Sequence, residues 1–173
     1  QDALWDLAAK ANRLEGEVAS HTRKLEALER RGRALRAEIG RKVEELAQDE
    51  SRALREASAF AEEENAARLE VQRAEEHARR AVTVADQLER QGQGTRAAFE
   101  AAGAARALVE ARTQWLQTRS DRRKQREGVA RDLRAQIEEL RAQLARYAEA
   151  LEEDLQSGRE KVAARSREGL RFE

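Results

Sequence analysis

Two histidines, one glycine pair and one arginine-rich run are the residues of this chain whose types could do chemistry. His21 and His77 stand far apart, neither has a second histidine four residues away, and the chain holds no cysteine. A zinc site needs three or four converging ligands, so no metal is expected. Glutamate is abundant, but carboxylates on solvated helices have no pocket to raise their pKa for acid or base work. No enzymatic activity and no cofactor are therefore expected. Gly92-Gln93-Gly94-Thr95 shares its glycines with phosphate-binding loops but lacks the Gly-Lys-Ser/Thr ending and a preceding strand. It reads as a turn. The run Arg119, Arg122, Arg123, Lys124 and Arg126 has the charge to grip phosphate, yet Asp121 and Glu127 interrupt it. Internal ion pairing is the better reading, and nucleic acid is not an expected partner.

The elements that carry these residues follow from composition and periodicity. Charged side chains make up 39% of the chain and aromatic ones 3%, with no Pro, Cys or Met, which leaves too little apolar bulk for a compact globular core. Sustained 3.5-residue periodicity without proline points to long helix rather than disorder. Lys plus Arg and Asp plus Glu are equal at 34 each, so no global field draws the chain to nucleic acid or anionic lipid. No apolar run approaches the roughly 18 residues of a membrane span. A membrane-surface module would need one-sided charge, which the interleaved Arg and Glu oppose. The chain begins at Gln1 without an initiator Met and is expected to be a piece of a larger protein. Its compartment is not fixed by the sequence, with the cytoplasm slightly favoured.

From the N-terminus one heptad frame places Leu4, Ala11, Val18, Leu25, Gly32, Ile39 and Leu46 at a, and Leu7, Leu14, His21, Leu28, Leu35 and Lys42 at d. After Leu46 the pattern slips by four and continues through Ala53, Ala57, Phe60, Glu64, Ala67, Val71 and a run of alanines to Leu88, a stutter within one helix. Gly92 and Gly94 supply the freedom a reversal needs, and Thr95 is a candidate N-cap. The return helix shows Leu133, Ile137, Leu140, Leu144, Tyr147, Leu151 and Phe172 in one frame. Leu108, Trp115 and Val129 share another, which predicts a second stutter between Val129 and Ile137.

The fold class that results is all-α: a long antiparallel two-helix coiled-coil hairpin, with helices over about 2–91 and 96–172 and a turn over about 92–95. Facing residues then have numbers summing to about 187, which sets Glu62, Glu63 and Glu64 against Gln125, Lys124 and Arg123, and Arg30, Arg31 and Arg33 against Glu152, Glu153 and Asp154. Arg68 facing Arg119 is a mismatch. The helices predict a rod on the order of 120 Å. Leu4, Trp5 and Leu7 overhang its open end, an overhang that could contact another molecule. Val82, Val84, Leu108 and Trp115 are more apolar positions than one seam absorbs, and mark a candidate docking face for a protein partner, self or other. Pairing into a homodimeric four-helix bundle is one assembly this allows. The expected function is a non-enzymatic spacer, scaffold or docking arm. The competing readings are a membrane-surface helical dimer and a parallel filament with helix unbroken through Gly92.

Overall fold

A computed structural model describes residues 2–169, with side chains from residue 4 onward. It is an all-α hairpin without strands among the described residues: α1, Asp2–Arg90, packs against α2, Arg96–Gly169. Phe172, expected to close the frame of the second helix, lies outside the described residues.

The reversal is built as the glycine spacing requires. Gly92 takes a φ of 68°, in the left-handed region that a side chain makes costly. Its N–H donates to Glu89 O at 2.9 Å and that of Gln93 to Leu88 O at 2.8 Å, the paired bonds of a Schellman stop. Thr95 then caps α2: its Oγ1 accepts from Ala98 N at 3.3 Å, satisfying one of the amides a new helix leaves open. The unbroken-helix filament is thereby set aside, because α1 ends at Arg90.

The chain divides into two units, Gln1–Leu46 with Ala135–Glu173, and Ala47–Arg134. The division coincides with a change of seam. In the first unit the helices bury or half-bury Leu14, Leu25, Leu28, Leu35 and Leu46 of α1 against Ile137, Leu144, Leu151 and Leu155 of α2. Two of its layers are reciprocal. A methyl added at Gly32 would overlap Leu151 Cδ2, and one at Gly158 would overlap Leu25 Cδ2, so each leucine fills a notch left by a glycine on the other helix. In the second unit the buried residues are mostly alanine: Ala53, Ala57, Ala67, Ala74, Ala78 and Ala85 of α1, and Ala102, Ala105 and Ala130 of α2. Small residues on both sides permit the helices to approach toward the short end of the roughly 8–10 Å range.

The slips fall elsewhere than the periodicity suggested. Lys42, expected at d, is exposed, and Val43 is half-buried in its place, so α1 changes phase between Ile39 and Val43 rather than after Leu46. A lysine ammonium stays in water when a valine one residue on can fill the seam. On α2, Leu108 is 43% and Val129 37% exposed, while Ala105, Val109 and Ala130 turn inward. The frame that Leu108 and Val129 define is therefore not the seam with α1. The inward positions Leu116, Arg119, Arg123, Glu127 and Ala130 place the change of phase at Arg119 to Glu127, earlier than the expected Val129 to Ile137.

Candidate functional site

The change of phase on α2 sits beside a polar layer. Glu64 occupies a seam position of α1 and is 4% exposed. Its carboxylate would be costly there unless paired, and it is paired twice: Arg123 Nε donates to Oε2 at 2.7 Å and Arg68 Nη2 to Oε1 at 2.6 Å. Arg123 also donates from Nη1 to Glu127 at 2.7 Å. The Arg123 hydrogen bond holds the Glu64 carboxyl below the usual carboxylate range against the opposing pull of desolvation, with Arg68 adding to the effect.

Arg119 completes the layer. It meets Glu63 at 2.7 Å, and its guanidinium carbon lies 5.4 Å from the Trp115 ring centroid, within cation–π range. Its Nε is buried without a hydrogen-bond partner. The expected Arg68–Arg119 mismatch is resolved by rotation: each arginine turns to a different glutamate, Arg68 to Glu64 and Arg119 to Glu63.

The cross-helix charges have one polarity. Arg119, Arg123, Arg126 and Arg134 of α2 meet Glu63, Glu64, Glu56 and Glu50 of α1 in the second unit. Arg159 and Arg165 meet Glu29 and Glu17 in the first. The expected match of Glu64 with Arg123 is made, whereas Glu63 takes Arg119 instead of Lys124. Among the described residues Arg30, Arg31 and Arg33 form no ion pair with Glu152, Glu153 or Asp154, and Glu29 with Arg159 serves that stretch.

The other sequence-derived positions are spread over the surface. Leu4 is 71%, Trp5 77% and Leu7 41% exposed, with an open groove of about 400 Å³ beyond them, between Leu14 and Val18 of α1 and Arg165 and Gly169 of α2. Val84 and Leu108 are exposed, while Val82 and Trp115 are half-buried. Val82 and Val84 stand about 200° apart around α1, so they flank the seam on opposite sides. Leu108 and Trp115, seven residues apart, share one flank of α2. His21 is half-buried in the seam of the first unit and His77 is exposed in the second. Among the described residues no group of three or more His, Asp or Glu is placed to hold a metal ion, and no helix is long and apolar enough to cross a membrane.

Sequence reasoning found Glu64 as a seam position and Arg123 opposite it, but missed the role of Arg119. The signal was present: residues four apart on a helix are neighbours, which sets Arg119 beside the Trp115 ring. No protein-family model, no curated protein and no solved structure matches this chain.

Proposed function

We infer that this chain is a non-enzymatic coiled-coil arm, a spacer whose length separates what joins its open end from what docks near its turn. The observation that supports this reading is the packing of an 89-residue helix against a 74-residue helix, with glycine notches in one unit and the Glu64 layer in the other. A chain whose seam is narrow and whose surface is charged devotes its sequence to extension rather than to enclosing a ligand. The turn returns α2 along α1, an arrangement that suits insertion of an arm into a longer chain.

A spacer's length should follow its residue count. Removing one matched heptad from each helix of the first unit, residues 22–28 and 155–161, keeps the phase of both seams. The end-to-end distance, read by solution scattering, is then expected to shorten by about 10 Å, seven residues at the helical rise, with cooperative unfolding retained. A distance that does not change would contradict an arm.

A further inference from the structure

The frame that does not serve the seam with α1 forms a second one. On α2, Ala101, Leu108 and Trp115 repeat every seven residues, and Ala97, Ala104 and Ala111 fill the alternate positions. All but Trp115 are exposed, and Trp115 is half-buried with Arg119 over its ring. This stripe lies about 100° around the helix from the positions that meet α1, the angle at which a helix in a bundle meets a second neighbour. On α1 the flank nearest the stripe carries Arg73, His77 and Arg80 besides Val84, so α1 does not extend the apolar strip.

We propose that this flank of α2 is a homodimer interface in which two copies pair antiparallel through residues 97–115. The proposal rests on the docking-arm reading and names the partner at the turn-proximal half. Size decides the orientation. One set of heptad positions holds the large residues, Leu108 and Trp115, and the other holds only alanine. A parallel pair would stack Trp115 on Trp115 and alanine on alanine, giving layers of unequal width. An antiparallel pair sets each large residue against a small one: Trp115 over Ala97 of the second copy, Leu108 over Ala104, and Ala101 over Ala111.

Charge selects the register among the antiparallel choices. Sliding the copies one heptad further would bring Asp121 beside Glu100 of the second copy, whereas the register above sets Gln114 beside Glu100 and Ala107 beside its own counterpart. The paired stretch is about 28 Å of helix, covering roughly 500 Å² on each copy, so about 1,000 Å² in all. That is the lower edge of a specific interface, and the dimer is expected to be weak, dissociating in roughly the micromolar range.

The test uses the full chain and three exposed substitutions. Sedimentation equilibrium from about 1 to about 300 μM should show mass rising from 19.6 kDa to that of a dimer. Leu108→Glu, which places a charge in the interface of both copies, should weaken the dimer at least roughly tenfold with helicity unchanged. Leu54→Glu, exposed on α1 beside Arg131 and Arg134 and so beyond the paired stretch, should leave it as it was. Because the chain has no cysteine of its own, Ala107→Cys reports the register directly and should form an intermolecular disulfide on mild oxidation. A chain that stays at 19.6 kDa throughout overturns the proposal, as does a dimer indifferent to Leu108→Glu or an Ala107→Cys variant that does not cross-link. A monomer of the expected length would leave the arm reading standing and turn the flank over to a helix of a different protein.

Discussion

Glu64 shows how a single polar side chain in a seam can specify more than it stabilises. Two arginines satisfy its carboxylate, one from each helix, and a buried pair of this kind resists any shift that would separate it. Residues of apolar character at both Glu64 and Arg123 would accept neighbouring registers almost equally well, which is the best-attested use of a buried polar group in a coiled coil. The depressed carboxyl fixes the sign of the pH dependence. A group with a lower pKa folded than unfolded contributes stability that is present above the unfolded value, about 4.5, and is lost as pH falls through the folded one. Thermal unfolding followed between pH 2 and 7 should therefore show a flatter acid limb in Glu64→Gln than in the parent chain, because the amide has no proton to gain. An identical acid limb in both would mean that the Glu64–Arg123 bond contributes nothing to stability. The same residue also marks what was legible from spacing: an acidic seam position with a basic one opposite predicted the pair, and the pair forms. Arg119 was harder to place, because whether its guanidinium turns to Glu63 or to solvent depends on Trp115, which the spacing set equally in a seam frame and on a flank.

At the scale of the element, the two long helices, their reversal and most of the leucine seam could be read from heptad spacing and Gly92. The alanine-rich half could not be read with the same certainty of phase, and the reason is physical. Between Ala97 and Ala111 nearly every side of α2 carries alanine, so size alone selects Leu108 and Trp115 as the apolar face. Two closely approaching helices instead bury the smallest residues, Ala102 and Ala105, and leave the larger ones on the flank. The glycines within the helices divide on the same principle. Nothing lies within 4 Å of where a methyl would sit at Gly40 or Gly103, and both positions are exposed. Each to alanine should raise stability by about 0.5–1 kcal/mol through helix propensity alone. Gly32→Ala should instead lower it, by about 1 kcal/mol, because the methyl meets buried Leu151, whereas Gly158→Ala meets only the end of half-buried Leu25 and should change it little. Denaturant midpoints of the four variants check the division, and a gain at Gly32 would contradict the notch. The polarity of the ion pairs works at this scale too. Arginine on α2 meets glutamate on α1 throughout, so two copies of α1 set against each other along that edge would bring like charges together.

For the whole molecule the proposal is that the hairpin serves as a spacer arm, and a spacer needs length for its mass. Solution X-ray scattering with in-line mass measurement, at a concentration low enough that the chain reads 19.6 kDa, gives both together. An arm set by the 89-residue helix should show a maximum dimension on the order of 130 Å, the helical rise taken over that many residues. A monomer of roughly half that length would mean that the chain doubles over on itself, and it would contradict the spacer.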